Sequence, residues 1–408
     1  MKMQISISPR LRIHPSPLVV VLVSLMGIAF VVAMIRYIYG IGAISNLSYS
    51  YPWGFWISFD LFTGVAIGSG AFVMAATVYI FELKEFQPLL KPSVLTGFLG
   101  YIMVVIALLV DLGHPERIWY MMIHMNGTSV LLEIGICVMS YLTVLAIEFA
   151  PVVFDGLKWQ KFSRLIHKFI MPFVILGVVL STLHQSSLGS LLLIQPAKLY
   201  PLWWTPILPI LFFISAISIG VAMIIFESSL SSRYFKRGLE IHLLEKLARI
   251  IPIVLAIYLV VRFTQLTLAN DLHYLFNSGL MSTLFWAEII VGSVIPLILF
   301  SLKRFRQSPK GLLIGSIILL VGMILDRFDV SWFAVRHPDP LTYIPTFMAS
   351  NVHYFPSLPE VSISMGIFSA GILAFGLVVR YLPLFENEDE HVQVPQRTPV
   401  SPSKAAGD

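Results

Sequence analysis

The chain has 408 residues, of which 57% are hydrophobic and only 12% are charged. A soluble globular protein carries roughly a quarter charged residues, so this composition excludes a water-soluble enzyme. One transmembrane helix needs about 20 apolar residues. The chain therefore has room for many membrane spans and little room for a domain outside the bilayer.

Cysteine content and net charge narrow the chemistry further. The single cysteine, Cys137, cannot form an internal disulfide or a cysteine-ligated metal cluster. The net charge of +5 is typical of the basic loops that set the topology of a membrane protein, so it does not indicate a nucleic-acid partner. Any redox metal is expected to belong to a partner protein.

Apolar runs bounded by polar or proline-rich segments predict ten transmembrane helices. The first run lacks a signal-peptide cleavage site, so we expect it to be retained. The predicted fold is an all-α membrane domain over residues 1–384, with two four-helix bundles and flanking first and tenth helices, followed by a disordered cytoplasmic tail at 385–408. The bundles are expected at about 53–188 and 203–327. The predicted helices are 17–39, 53–81, 93–111, 129–149, 167–188, 203–227, 249–269, 280–301, 311–327 and 361–384.

Basic residues sort by side of the predicted membrane domain. Of 27 Lys and Arg residues, 21 fall in the N-terminal segment, the even-numbered connections or the tail. The positive-inside rule then predicts cytoplasmic N- and C-termini. The longest outer connection, about 328–360, is rich in Pro, His and aromatic residues, which favours an ordered cover over the helix ends or a docking surface.

Ionisable side chains inside predicted helices are functional candidates, because a charge near the bilayer centre costs about 2.5 kcal/mol or more. The alternatives are ordinary helix-end charges in contact with water and buried structural ion pairs. Glu133 and Glu288 are the strongest candidates for carrying protons or binding a ligand, and their matching positions suggest a weak internal repeat. The outer half contains Asp60, Asp111, His114, Glu133, His184, Glu288, Asp326 and Arg327; Arg262 lies nearer the middle, and Glu148 and Glu227 lie near the inner ends.

Two segments add polar and aromatic groups at the outer boundary. Helix five ends in LSTLHQSSLGSL around His184, which either satisfies fraying backbone groups or binds the head of a lipid-soluble ligand. Helix two begins with YPWGFWISFD, whose Trp53 and neighbouring aromatic residues suit an interfacial belt. The glycines that follow, Gly64, Gly68 and Gly70, favour a close helix crossing.

These segments resemble the NrfD/PsrC superfamily of quinone-interacting membrane subunits, and within it the HybB-type subunits of membrane-bound hydrogenase complexes. The resemblance covers the chain to about Pro383. The resemblance rests on the ten-span layout and on four segments: YPWGFWISFD, VLLEIGICVMSYLTVLAIEFAP around Glu133, LHQSSLGSLL at His184, and the basic loop after IIFESSL at Glu227.

The resemblance implies a subunit of an anaerobic respiratory complex in the prokaryotic inner membrane that exchanges electrons with menaquinone or menaquinol near the periplasmic side. It implies two partners: a periplasmic ferredoxin-like iron–sulfur subunit, and a catalytic subunit such as a hydrogenase, a molybdopterin enzyme or a multihaem cytochrome. Carried onto this sequence, the family's quinone pocket corresponds to Trp53, Asp60, Asp111, His114 and His184, and its proton-transfer carboxylates correspond to Glu133 and Glu227.

The residues themselves give partial support for that implication. Quinone reduction moves two protons, and the outer polar groups are the ones placed to serve it, so we expect quinone among Asp60, Asp111, His114, Glu133 and His184. Glu148 and Glu227 are expected to form an inner proton mouth through Tyr101 or Tyr141 and water. Because no helix centre carries a histidine, we expect no haem in this chain.

Two other classes of protein stay open at this point. A secondary transporter also has ten helices, a possible repeat and buried charges, although it binds substrate near the midplane at broken helices. A structural anchor for a soluble enzyme needs none of the outer polar groups for turnover. The proteins and bound quinone that co-purify with the chain distinguish these classes.

Overall fold

A computed structural model describes residues 16–48, 51, 53–194, 199–236, 238–277, 279–336 and 354–385. Within this part of the chain the predicted ten membrane-spanning helices are confirmed. The predicted tail and most of the long outer connection lie outside the described residues. The helices are α1 (Pro17–Tyr39), α2 (Trp56–Ile80), α3 (Lys84–Asp111), α4 (Val130–Gly156), α5 (Gln160–Leu193), α6 (Leu208–Phe235), α7 (Ile241–Leu268), α8 (Leu280–Ser301), α9 (Pro309–Phe333) and α10 (Leu358–Tyr381).

Several predicted boundaries are wrong by more than a turn. The predictions stop at prolines, but α3 runs through Pro92 and α4 runs through Pro151. Proline is tolerated inside transmembrane helices because neighbouring helices and side chains satisfy the freed backbone groups. Helix α5 is also longer than predicted, because its first turns carry basic residues that hydropathy excludes.

The helices pack as two rings of four, with α2–α5 in one ring and α6–α9 in the other. We call these the first and second bundle. The rings meet where α5 and α2 pack against α6, and where the start of α2 packs against α9. Helices α1 and α10 pack on each other, and α10 also covers α3 and the start of α2.

Glycines allow the closest helix crossings, as predicted for α2. A Cβ added to Gly70 would lie 3.2 Å from the carbonyl oxygen of Gly220 in α6, and one added to Gly64 would lie 2.8 Å from Val104 in α3. A similar contact in the second bundle joins Gly322 of α9 to Gly292 of α8, where an added Cβ would lie 2.1 Å from a backbone carbon. Small residues at such points let helix backbones approach within the membrane.

Candidate functional site

Asp60 lies in the first turns of α2, which form a π-helical segment over Trp56–Leu61. Such segments occur frequently at functional sites. Asp60 is 3% exposed, and its Oδ2 accepts a 2.5 Å hydrogen bond from the hydroxyl of Ser364 in α10. Its Oδ1 has no hydrogen-bond partner among the described residues. One carboxyl oxygen of Asp60 is therefore held in place and the other is left for a further partner.

Asp111 is the last residue of α3 and is half-buried. Its carboxyl group lies within electrostatic range of Asp60, of Glu360 in α10 and of Arg36 in α1. Arg36 is buried, and its Nε donates a 2.8 Å hydrogen bond to the carbonyl of Val110 at the end of α3. The guanidinium therefore satisfies the end of α3 and offsets part of the negative charge that gathers there.

Glu360 and Tyr354 close this region from the α10 side. Glu360 accepts hydrogen bonds from the backbone N–H of Asn46, at 2.7 Å, and from the hydroxyl of Tyr354. The same hydroxyl accepts a 2.7 Å hydrogen bond from the N–H of Phe55, just before α2. Burial raises the pKa of the Tyr354 phenol, and the hydrogen bond to Glu360 and its negative charge raise it further, so Tyr354 remains a hydrogen-bond donor at neutral pH.

Four phenylalanines form an aromatic patch where α2, α9 and α10 meet, and each is half-buried. Phe59, the residue before Asp60, lies centrally. Its ring centroid is 5.2 Å from Phe55, 6.0 Å from Phe328 and 5.2 Å from Phe368. These separations are those of interacting aromatic rings. An aromatic surface therefore adjoins a buried carboxyl group that has one free oxygen.

A second polar group, the His184 cluster, lies inside the first bundle. His184 is fully buried, and its ring centroid is 5.7 Å from that of Tyr101. Tyr101 contacts Tyr141 edge-on at 4.8 Å, and Ser181 lies beside both phenols. Neither ring nitrogen of His184 has a hydrogen-bond partner in the described part of the chain. The cluster joins α3, α4 and α5 through groups that carry or accept protons.

Glu133 differs from its expected position inside the bundle. Glu133 lies in the first turn of α4, and its side chain is exposed. The apolar run around it predicts the helix but does not show which face of the helix is buried. Glu133 accepts a hydrogen bond from Ser187, one turn beyond His184 in α5. The structure thus brings Glu133 to the edge of the bundle, near the level of the His184 cluster.

Two other candidates lie apart from the buried groups. His114 is on an exposed connection, where its Nδ1 lies 2.9 Å from Glu116. Trp53 is half-buried ahead of α2 and packs against the main core. Among the described residues, Asp60 lies within electrostatic range of Asp111, and His184 contacts Tyr101, which contacts Tyr141. The partner of His114 is Glu116, which belongs to neither set.

Glu148 and Glu227, the two acids predicted to form an inner proton mouth, lie in or beside the first bundle. Glu148 is half-buried in α4, in electrostatic range of Tyr141, and it packs over Gly177 of α5. Glu227 of α6 is buried and lines a cavity of about 10 Å³ that Ser93 and Thr96 of α3 also line. A space of that size fits a single water molecule.

The two other predicted buried charges, Arg262 and Glu288, belong to the second bundle. Arg262 donates a 2.9 Å hydrogen bond to the carbonyl of Leu202, and Glu288 accepts one of 2.8 Å from the indole of Trp203. Both side chains are 2% exposed. They therefore lie in a polar site separate from the Asp60 region.

Sequence reasoning does not identify several of these partners. Glu360 and Ser364 are four residues apart, which places two polar groups on one face of an otherwise apolar helix, and that spacing is a usable signal. Phe55 and Phe59 have the same spacing. The sequence holds no such signal for Tyr354, because its contacts to α2 depend on how α10 packs.

Comparison with known proteins agrees with this description. The NrfD family, described as "Polysulphide reductase, NrfD", matches residues 43–332. The chain is 31% identical over 371 residues to the "Probable Ni/Fe-hydrogenase 2 b-type cytochrome subunit" of Escherichia coli K12, covering 89% of this chain and 92% of the relative.

Two further relatives are similar over nearly their whole length. Identity is 28% over 377 residues to the "Menaquinone reductase, integral membrane subunit" of Nitratidesulfovibrio vulgaris Hildenborough, covering 86% of this chain and 87% of the relative. It is 26% over 406 residues to a selenate reductase subunit of Mesobacillus selenatarsenatis, covering 90% of this chain and 94% of the relative.

The fold and these matches define a multi-pass integral membrane protein whose relatives are membrane subunits of oxidoreductase complexes. The chain belongs to the NrfD family.

Replacement of Ser364 by Ala tests the anchoring of Asp60. The change removes the donor to Oδ2 and leaves a buried carboxyl group without a protein hydrogen bond, which costs about 1–3 kcal/mol. We expect the thermal unfolding midpoint of the purified protein in detergent to fall by several degrees. Ser362→Ala is the matched control, because the Ser362 hydroxyl bonds within its own helix. Equal midpoints for the two variants would contradict the assignment.

Proposed function

We propose that this chain is the quinone-reactive membrane subunit of a respiratory oxidoreductase complex, and that a menaquinone-type quinone binds beside Asp60. The observation that carries the proposal is the pairing of the buried Asp60 carboxyl group with the aromatic patch. Small-molecule sites are mostly apolar and contain a few placed polar groups, as this region does. The name of the menaquinone reductase relative supports the same choice of substrate.

The aromatic patch suits the quinone ring and its apolar tail. Its four phenylalanines are half-buried at the junction of three membrane-spanning helices, so a lipid-soluble molecule reaches them from the bilayer. Stacked and edge-on contacts with a ring contribute about 0.5–1.5 kcal/mol each beyond the apolar area that they bury. The patch binds the ring, and the neighbouring carboxyl group determines its orientation.

Asp60 and Asp111 supply the proton chemistry. Reduction of a quinone to a quinol consumes two electrons and two protons, and oxidation releases them. The free Oδ1 of Asp60 is the group placed to exchange a proton with a quinone oxygen, and the adjacent Asp111 passes protons between Asp60 and the surface. Trp53 lies in the connection ahead of α2 and packs against the main core. The exposed His114 has no part in this assignment.

The electrons come from outside this chain. We infer a ferredoxin-like iron–sulfur partner on the periplasmic side and a catalytic partner beyond it, since the single cysteine of this chain cannot ligate a cluster. The names of the relatives refer to a hydrogenase, a menaquinone reductase and a selenate reductase. The charge distribution supports a place in the prokaryotic inner membrane with cytoplasmic termini.

A route for protons toward the opposite face passes through the His184 cluster. His184, Tyr101 and Tyr141 form consecutive ring contacts, and Tyr141 lies within range of Glu148. The cavity beside Glu227 has room for one water. Glu133, held by Ser187, joins the cluster to the bundle edge. We propose that these groups make quinone turnover electrogenic.

Asp60→Asn tests the quinone site. The change keeps the hydrogen bond to Ser364 but removes the exchangeable proton, and loss of a general acid–base group lowers a rate by about 100-fold or more. We expect electron transfer between the purified complex and a menaquinone analogue to fall by that factor. Turnover with a soluble viologen that bypasses the quinone should be unchanged.

The control is Asp155→Asn, which removes an exposed carboxyl group near the C-terminal end of α4, away from Asp60 in the chain. Full quinone-linked turnover in Asp60→Asn would favour a structural anchor over a quinone-reactive protein. Purification without any redox partner or quinone would favour the transporter class. Mass spectrometry of the purified complex separates these two outcomes.

Glu148→Gln and Glu227→Gln test the proton route. Each removes a proton-carrying group while keeping its size, so we expect quinone-linked electron transfer to persist and the protons moved per electron to fall. The measurement is the pH change outside sealed vesicles that contain the complex, with Asp155→Asn as the control for an exposed acid. Unchanged proton movement in both variants would remove these residues from the route.

A further inference from the structure

Two carboxyl groups of the second bundle lie side by side in its interior. Glu288 of α8 is 2% exposed, and Asp329 of α9 is 1% exposed. The Asp329 carboxyl group lies within hydrogen-bonding range of the Glu288 carboxyl group, and the indole of Trp203 donates a 2.8 Å hydrogen bond to Oε2 of Glu288. Asp329 begins a π-helical turn, Asp329–Phe333, so an irregular part of α9 positions it. Neither residue has a role in the proposed quinone site.

The remaining oxygens of the pair lack donors. Oε1 of Glu288 and both oxygens of Asp329 accept no hydrogen bond from a protein donor within the described ranges. An ionised carboxylate has only acceptor atoms, whereas a protonated one has an O–H donor. Two adjacent carboxyl groups therefore hydrogen-bond to each other only when one of them carries a proton. Two ionised groups in contact also repel each other strongly in a buried site.

The charge balance of the cluster also predicts one bound proton. Two guanidinium groups lie in this cluster: Arg327 donates a 2.6 Å hydrogen bond to Asp326, and Arg262 is in electrostatic range of Glu288. Both are always protonated. Against them stand three carboxyl groups, those of Asp326, Glu288 and Asp329. With one proton bound the cluster is neutral, and an uncompensated buried charge is avoided.

A small cavity adjoins the cluster. Trp203, which binds Glu288, lines a cavity of about 10 Å³ together with Tyr258, Arg262 and Asp326. That volume accommodates one water molecule. Tyr258 donates a 3.4 Å hydrogen bond to Asp326, so the lining carries both donors and acceptors.

We propose that Glu288 and Asp329 share one exchangeable proton, which makes the second bundle a proton-binding site distinct from the quinone site. The charged and titratable groups that face this pair are Asp326 and Arg327 from α9 and Arg262 and Tyr258 from α7. The π-helical turn that begins with Asp329 packs against the π-helical turn of α2 that contains Asp60.

Infrared difference spectroscopy of the intact reconstituted protein tests the sharing directly. A protonated carboxyl group gives a C=O stretching band that moves in D₂O, and an ionised group does not. We expect Glu288→Gln to lose the intensity of one such band relative to the parent, and Asp329→Asn to lose the same intensity. The double variant should also lose the intensity of one band, because one proton is shared.

Other outcomes overturn the proposal. Loss of two bands in the double variant means that each residue binds its own proton, and no loss in any variant means that both are ionised. Asp155→Asn, an exposed acid outside the cluster, controls for the substitution itself and should lose none. Arg262→Gln gives a separate check that keeps all three acids: removal of one positive charge should add one carboxyl band, and an unchanged spectrum contradicts the charge balance.

Discussion

The cost of placing polar groups inside a bilayer determines how this protein is built. Every buried carboxyl group has to be hydrogen-bonded, paired with a cation or protonated. Asp60 is held by Ser364, and Glu360 by the amide of Asn46 and the phenol of Tyr354. These contacts join α10 to the start of α2, so the same bonds that offset the burial cost hold the candidate site together.

Three of the four π-helical turns in the described residues lie at or near the polar sites, and the fourth is Ala76–Ile80. Asp60 and Asp329 both lie in π-helical turns, and these turns pack against each other between the two bundles. Helix α8 has another π-helical turn, Ile290–Val294, which begins two residues after Glu288. A π-helical turn changes the direction of its side chains relative to a regular helix, and such turns are frequent at functional sites. Each bundle thus has one buried acid, Asp60 or Asp329, in a π-helical turn.

The sequence predicts the helices well because hydropathy is a local property, and it predicts the sites less well because they are not local. The Ser364 hydroxyl lies 304 residues from Asp60 in the chain, so no spacing pattern links them. Glu133 and Glu288 occupy similar places in their bundles, yet the first is exposed and the second is buried. An apolar run shows that a helix crosses the membrane without showing which face meets a neighbour. For the same reason the sequence does not single out Asp329.

Quinone binding at the aromatic patch beside Asp60 is the claim on which the proposed function depends most. Photoaffinity labelling of the intact complex with a menaquinone analogue that carries a photoreactive group on its ring tests this directly, with labelled peptides identified by mass spectrometry. We expect labels in the peptides of α2, α9 and α10 that contain Phe55, Phe59, Phe328 or Phe368, and loss of those labels when unlabelled menaquinone competes. Competed labels confined to α6, α7 and α8 would contradict quinone binding at this patch.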